Sequence, residues 1–109
     1  MSLLHLNADE GDGRITLALR GELDISSAPT LEEALGRLEG SGPPVLLIDL
    51  RALEFMDSTG LRTIVAADQR ARAEGRRLAI VRGPDAVNRI FSVTRLDERL
   101  EIVDDPALA

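Results

Sequence analysis

The feature that most constrains the fold is a nearly unbroken apolar run, VLLIDL, at residues 45–50. Such a run is typical of a central strand that is covered on both faces of its sheet. It leads through the segment FMDSTG, at 55–60, into a stretch whose apolar residues recur with helical spacing. A buried strand that passes almost directly into a helix predicts an α/β fold, in which helices pack against a sheet.

The rest of the chain repeats this alternation of strand and helix patterns. The predicted elements are, in chain order, strands at 3–8 and 14–21 joined by a turn at 9–13, a helix capped by Ser27 and ended by 40–44, a strand at 45–50, a helix to about Glu74, a strand at 76–82, a helix within 83–94 and a strand at 100–103. Strand–helix–strand alternation implies right-handed crossovers. We therefore predict a single domain over residues 1–109, with a mixed, mostly parallel sheet of four or five strands and about four helices.

The sequence also predicts where the first helix begins and which residues of the other two helices face the core. Pro29 near the first helical position, with Glu32 and Glu33 in the first turn, is typical of a helix N-terminus. Asp68 lies near the middle of the apolar side of the second helix, which predicts that this helix is only half covered there. The residues predicted to face inward are Leu61, Ile64, Val65, Ala67 and Ala71 in the second helix and Val87, Ile90, Phe91 and Thr94 in the third.

The composition excludes several classes of partner. The net charge is −6, and the 13 basic residues, all of them arginine, are scattered among 19 acidic residues. Because a nucleic-acid surface needs clustered positive charge, no nucleic-acid partner is expected. The chain has no cysteine, no apolar run long enough to span a membrane and no signal-like basic N-terminus. We expect a cytoplasmic protein without disulfides and without membrane insertion.

The cluster Asp57-Ser58-Thr59-Gly60 is first of all a helix start. Asp, Ser and Thr side chains accept hydrogen bonds from the free N–H groups of a first turn. A hydroxyl at this point is also exposed at the carboxyl end of a strand, which is the edge where sites gather in open α/β sheets. A structural role as a cap is therefore compatible with a function.

The residues around the cluster argue against a catalytic role for it. A nucleophile elbow needs a glycine where Met56 stands and a histidine base, and the sole histidine, His5, is predicted on the edge strand. An aspartyl-phosphate site at Asp49 or Asp57 would lack its partner lysine, because the chain contains none. Phosphate-binding loops and metal-ligand spacing are also absent from the sequence. We predict no catalytic residue, no cofactor and no metal site.

Ser58 is instead a candidate substrate for phosphorylation. A phosphate would add about −1.5 to −2 charges. The dipole and free N–H groups of a helix N-terminus favour an anion by roughly 0.3–1 kcal/mol, so the fold is expected to survive the modification. The new charge is expected to change what this surface binds.

Three segments, taken together, resemble the STAS domain and more narrowly the bacterial anti-sigma factor antagonists: GELDISSAPTLEEAL, VLLIDLRALEFMDSTGL and RRLAIVRGPDAVNRIFSVTRLDERLEIVDD. The resemblance covers about residues 3–105 and is strongest at FMDSTGL. It implies that the chain binds an anti-sigma factor that is also a serine kinase, so that a sigma factor is released. It further implies that the kinase phosphorylates Ser58, that the phosphorylated form dissociates, and that a metal-dependent serine phosphatase restores it.

The resemblance also implies roles for single residues. Thr59 is the alternative phosphorylation site. Gly60 is predicted to keep the turn narrow, and Phe55 and Leu61 are predicted to anchor the core. The residues expected to bind the partner are Asp24, Asp57, Ser58, Thr59, Gly60 and Arg62.

Two other functions of the same fold stay open. Small STAS proteins also serve as subunits of lipid-transport ATPases or of stress-signalling assemblies, where they bind an ATPase or kinase through the same helix face. Others are nucleotide-sensing domains, although Arg62 is the only basic residue close to Ser58 in the sequence. A pull-down would identify the first class, and calorimetry with ATP and GTP would identify the second.

Overall fold

The computed structural model describes residues 3–108, and these residues form five strands and three α-helices. The elements are β1 (Leu4–Gly11), β2 (Arg14–Leu23), α1 (Ala28–Glu39), β3 (Val45–Met56), α2 (Ser58–Ala73), β4 (Arg77–Val81), α3 (Asp85–Val93) and β5 (Ile102–Val103). Single 3₁₀ turns lie at Leu96–Glu98 and Pro106–Leu108. The predicted order of strands and helices is confirmed.

The strands form one sheet in the order β1-β2-β3-β4-β5. Strands β1 and β2 form an antiparallel hairpin, whereas β2, β3, β4 and β5 are parallel to their neighbours. The predicted α/β class with a mixed, mostly parallel sheet is confirmed. The described residues form three α-helices and two 3₁₀ turns, whereas about four helices were predicted.

Strand β3 occupies the centre of the sheet and is buried on both faces. Ile48 and Leu50 belong to the main core, to which Leu31 of α1, Ile64 of α2 and Phe91 of α3 also contribute. Leu47, which precedes Ile48 and lies on the other face of the sheet, packs with Ala79 and Val81 in a smaller cluster. Burial on both faces explains why the sequence of this strand reads as a continuous apolar run.

Several predicted element boundaries were wrong. The third strand continues for 12 residues, to Met56, instead of ending at residue 50. The hairpin turn is shorter than 9–13, because only Asp12 and Gly13 lie between the strands, both with positive φ angles of 54° and 75°. Two-residue hairpin turns of this kind match the twist of the flanking strands, which lets β1 extend to Gly11.

The N-terminus of α1 differs from the prediction. Ser27 occupies the N-cap position, but its side chain makes no capping hydrogen bond. The helix begins at Ala28, and its first turn contains no acidic residue, so Glu32 and Glu33 lie beyond it. The predicted end at Gly40 is confirmed as the C-cap.

The other two helices follow the prediction except at two positions on their inner sides. Helix α2 ends at Ala73, as expected, and Asp68 is buried but forms an ion pair with Arg72, with 2.8 Å between the carboxylate oxygen and Nε. This pairing explains how a carboxylate is accommodated on the apolar side. Thr94, which was predicted to face inward, is exposed because it lies beyond the last residue of α3.

Candidate functional site

The site begins where β3 ends and α2 starts. Asp57 has an extended backbone between the two elements and is the N-cap of α2. Its Oδ1 atom accepts a hydrogen bond from the backbone N–H of Gly60 at 3.0 Å. This bond satisfies one of the free donors of the first helical turn. The interpretation of the cluster as a helix start is confirmed, with Asp57 as its capping residue.

Asp57 also connects the start of α2 to the loop between β2 and α1. Its other oxygen, Oδ2, accepts a hydrogen bond from the N–H of Ile25 at 3.2 Å. Its own N–H donates to the carbonyl of Leu23 at 3.1 Å. Two segments, 21–25 and 55–60, are thus held side by side by hydrogen bonds. Both lie within the stretches that resemble the anti-sigma factor antagonists.

Asp24 organises the loop between β2 and α1. Its Oδ1 atom accepts hydrogen bonds from the Ser26 hydroxyl at 2.6 Å and from the N–H groups of Ser26 and Ser27 at 3.0 and 3.1 Å. The Ser26 hydroxyl and these two N–H groups hold the pKa of Asp24 below its ordinary value, against a weaker opposing effect of burial. The carboxylate is therefore ionised at neutral pH and fixes the shape of the loop.

Ser58 is the first residue of α2, and its side chain is exposed. Within residues 3–108, its hydroxyl forms no hydrogen bond. Within the cluster, Asp57 and not Ser58 is the residue that caps the helix. The hydroxyl of Ser58 is consequently available to a modifying enzyme without any internal bond to break.

Thr59 and Gly60 differ from Ser58 in accessibility. Thr59 is half-buried, and Gly60 is buried. A Cβ atom on Gly60 would lie 2.6 Å from Cγ of Leu23, which is far closer than any carbon–carbon contact permits. Gly60 is therefore needed because α2 packs closely on β2. Its predicted role in keeping the turn narrow stays a prediction.

Arg62 lies one helical turn after Ser58, on an exposed position of α2. It forms no ion pair with any of the residues that the structure describes. Residues four apart are neighbours on a helix surface, and helical side chains lean toward the N-terminus. Arg62 is thus the basic residue of α2 that lies nearest to Ser58 on the helix surface.

Sequence reasoning missed two exposed apolar side chains in these segments. Leu61 is buried as predicted, but Phe55, predicted as a core anchor, is 47% exposed, and Ile25 is 74% exposed. Phe55 lies between exposed Glu54 and buried Met56 at the end of β3. Because the predicted strand ended at residue 50, the side of the sheet on which Phe55 lies was not readable from the sequence.

Comparisons with known proteins agree with this geometry. A family model described as the STAS domain matches residues 5–109. The anti-sigma-B factor antagonist of Listeria monocytogenes is 35% identical over 88 residues, which are 81% of this chain and 77% of that protein. The chain belongs to the STAS domain family, among the anti-sigma factor antagonists. The resemblance seen in the sequence is confirmed.

Another relative of this STAS domain matches over a shorter segment. The anti-sigma-F factor antagonist RsfB of Mycobacterium tuberculosis is 39% identical over 59 residues, which are 54% of this chain and 48% of that protein. The matched segment thus spans about half the length of that relative. These relatives are named as antagonists of other proteins, in agreement with the prediction that the chain is not an enzyme.

Solved structures share the fold. An anti-sigma factor antagonist from Mycobacterium paratuberculosis has a TM-score of 0.85 and 28% identity, with 95% of this chain and 88% of that chain covered. The Bacillus protein SpoIIAA in its phosphorylated form has a TM-score of 0.73 at 14% identity, with 95% of this chain and 96% of that chain covered. The second likeness concerns the fold alone.

Within residues 3–108, no group of three or more His, Asp or Glu side chains is placed to hold a metal ion. None of the helices in this part of the chain is long and apolar enough to cross a membrane.

Proposed function

We propose that this STAS domain antagonises an anti-sigma factor by binding it, and that phosphorylation of Ser58 ends the binding. The partner would be an anti-sigma factor that is also a serine kinase, and a serine phosphatase would reverse the modification. The proposed binding surface consists of the loop between β2 and α1 and the first turns of α2. Its residues are Asp24, Asp57, Ser58, Thr59, Gly60 and Arg62, to which we add Ile25 and Phe55.

The observation that carries this proposal is the position of the Ser58 hydroxyl. It is exposed, makes no hydrogen bond within the described residues, and follows an Asp57 carboxylate that joins both segments of the surface. Thr59 is half-buried. The difference in exposure favours Ser58 over Thr59 as the acceptor, because a kinase has to reach the hydroxyl oxygen.

Exposed apolar side chains in the same two segments support binding of a protein. Ile25 and Phe55 leave 74% and 47% of their surface in contact with solvent. Interface cores are rich in apolar and aromatic side chains that a partner desolvates, and polar groups surround them. Phe55 is one of only two aromatic residues in the chain. An aromatic side chain is thus left largely outside the core, as expected for a residue that a partner buries.

Phosphorylation would act on binding and leave the fold intact. A phosphate on Ser58 would lie at the N-terminus of α2, where unpaired N–H groups and the helix dipole stabilise an anion. It would add about −1.5 to −2 charges beside the carboxylate of Asp57. A partner surface that accommodates an uncharged hydroxyl would meet a desolvated dianion, which costs several kcal/mol, enough to abolish a micromolar complex.

The test is intact-mass spectrometry of the protein after incubation with ATP and each candidate anti-sigma kinase of the same genome, followed by peptide mapping. We expect one added phosphate on Ser58, none on Ser58→Ala, and normal modification of Ser92→Ala, which removes an exposed serine on α3. Phosphate on Thr59 would retain the mechanism at a different residue. Absence of phosphate with every kinase would contradict the proposal and favour a subunit of a transport ATPase, which a pull-down would identify.

A further inference from the structure

The outer edge of β1 is a second surface with no role in the proposed function. Strand β1 is eight residues long and forms one edge of the sheet, with β2 as its sole neighbour among the described residues. Edge strands are usually protected by charged side chains, above all lysine, by proline, by a bulge or by short length. Strand β1 contains neither lysine nor proline, its two acidic residues, Asp9 and Glu10, lie at one end, and its pairing with β2 is regular from Leu4 to Gly11. The edge is therefore suited to pairing with another strand.

The hydrogen-bond pattern determines which backbone groups point outward. The carbonyl of Leu3 accepts the N–H of Glu22 at 3.1 Å, which fixes this pair as a hydrogen-bonded one. Because bonded and non-bonded pairs alternate in an antiparallel ladder, the odd-numbered residues of β1 bond to β2. The N–H and C=O groups of the even-numbered Leu6, Ala8 and Glu10 consequently point away from β2.

The side chains of β1 alternate in the same way. Leu6 and Ala8 lie on the helix side, where they border a groove of about 280 Å³ that Leu38 and Arg37 of α1 complete. His5, Asn7 and Asp9 are exposed on the opposite side. Along this side, the charge changes, because His5 lies opposite the positive Arg20 of β2, whereas the negative Asp9 lies opposite the uncharged Thr16.

We propose that β1 pairs with β1 of a second copy of this chain, antiparallel and centred on Asn7, to form a symmetric dimer. In this register, Leu6 lies opposite Ala8 of the second copy as a hydrogen-bonded pair. His5 lies opposite Asp9 of the second copy as a non-bonded pair, in which side chains approach most closely. Because a two-fold axis relates the two copies, the pair of His5 from one copy with Asp9 from the other forms twice.

The charges select this arrangement over a parallel one. A parallel, in-register pair would place Asp9 beside Asp9 and His5 beside His5, whereas the antiparallel pair brings the acidic half of one strand beside His5 and Arg20 of the other copy. Both helix layers then lie on the same face of a continuous ten-stranded sheet, and the two grooves along Leu6 and Ala8 meet at the dimer axis. Strand β3 and Ser58 lie two strands from this edge, so the dimer is independent of the proposed phosphorylation.

The first test is the mass of the protein in solution. Sedimentation velocity from about 1 µM to about 1 mM, the range of weak to moderate affinities, should show a monomer–dimer equilibrium. Ala8→Pro removes an N–H that points outward and adds a ring at the edge, so it should abolish the dimer while the monomer folds normally by circular dichroism. A wild-type protein that stays monomeric throughout this range would overturn the proposal.

The second test is a charge reversal that checks the register without proline. His5→Asp places two carboxylates opposite each other twice, so it should weaken dimerisation about tenfold. The double variant His5→Asp with Asp9→Lys restores opposite charges and should restore the dimer. In the monomer, the carboxylate introduced by His5→Asp lies opposite Arg20, so this substitution should not destabilise the fold. A dimer that forms despite Ala8→Pro, or that the double variant does not restore, would overturn the proposal.

Discussion

Asp57 and Ile25 lie 32 residues apart in the chain, and the carboxylate of the first accepts the backbone N–H of the second at 3.2 Å. The same carboxylate caps α2 through the N–H of Gly60. A single side chain therefore starts the helix that carries Ser58 and holds the neighbouring loop in place. Removal of the Asp57 side chain should therefore affect both the stability of α2 and the order of the loop.

The two functions of Asp57 can be separated by substitution. Asp57→Ala should lower the free energy of unfolding by about 0.5–2 kcal/mol, because it removes the cap. Asp57→Asn should retain most of that stability, since its amide oxygen still accepts from Gly60, but its NH₂ group cannot accept from Ile25. Urea unfolding measures the first effect, and faster hydrogen exchange at the Ile25 amide measures the second. Equal destabilisation by both variants would contradict this division.

Ile25 should matter for binding and hardly at all for stability. It is 74% exposed, so Ile25→Ser should change the free energy of unfolding by less than about 0.5 kcal/mol. If its side chain is desolvated by the partner, the same change should weaken the complex by at least about 1 kcal/mol. Val93→Ser on α3 is the matched control, because Val93 is 73% exposed. Calorimetric titration with the anti-sigma factor compares the two, and equal losses of affinity would refute a specific role for Ile25.

Substitutions of Ser58 should separate charge from structure. Ser58→Ala should keep the stability within about 0.5 kcal/mol, because the hydroxyl makes no hydrogen bond to any residue from 3 to 108, and should keep partner affinity while preventing modification. Ser58→Asp should stabilise the helix N-terminus by roughly 0.3–1 kcal/mol and weaken the complex. The weakening should be partial, because an aspartate carries less charge than a phosphate. Unchanged affinity of Ser58→Asp would argue against control by charge.

The order of elements was predictable because the signals for it are local. Apolar residues that recur every second position, apolar residues that recur every third or fourth position, and a continuous apolar run are each recognisable within a few residues. The order of strands and helices could therefore be read directly. Exposure of Ser58 was predictable for the same reason, since it follows from the position of a helix start after a buried strand. These parts of the site required no knowledge of distant contacts.

The parts that were mispredicted depend on distant pairing. Arg51 and Glu54 interrupt the apolar pattern of β3, yet the strand continues because Leu53 and Met56 pair with Gly21 and Leu23 of β2. The register between these strands also shifts twice, so alternation along β3 cannot be extrapolated to Phe55. The bond between Asp57 and Ile25 and the contact of Gly60 with Leu23 arise from the same pairing and leave no local signal.

The contact of Gly60 with Leu23 predicts opposite effects of alanine at two helical glycines. Gly60→Ala should destabilise the protein by about 1–3 kcal/mol, because the added Cβ overlaps a fully buried side chain. Gly36→Ala in α1 is the control, since a Cβ there has nothing within 4 Å, and it should stabilise by roughly 0.5–1 kcal/mol. Urea unfolding of both variants gives the comparison. A neutral Gly60→Ala would show that α2 can move away from β2 at no cost.

A last prediction concerns the pH dependence of stability and arises from Asp49 in the centre of β3. Burial is the largest influence on this carboxyl and raises its pKa. The hydrogen bonds from the side chain and N–H of Arg51, together with its charge, outweigh burial, so the pKa of Asp49 lies below its ordinary value. A carboxyl with a lowered pKa stabilises the fold above its unfolded pKa of about 3.9, and this stabilisation is lost as the pH falls through the folded value.

Arg51→Met should therefore lower stability at neutral pH. Without the guanidinium of Arg51, only the backbone N–H of residue 51 still opposes burial, so the pKa of Asp49 should rise. The difference in stability from the wild type should therefore shrink as the pH is lowered through this raised pKa. Arg62→Met, which removes an exposed arginine without an ion pair among the described residues, should show no such pH-dependent difference. Urea unfolding between pH 3 and pH 7, values that bracket the ordinary range of an aspartate at about 3.9, provides the measurement. A difference that is constant over this range would mean that Arg51 stabilises the fold by packing and not through the charge of Asp49.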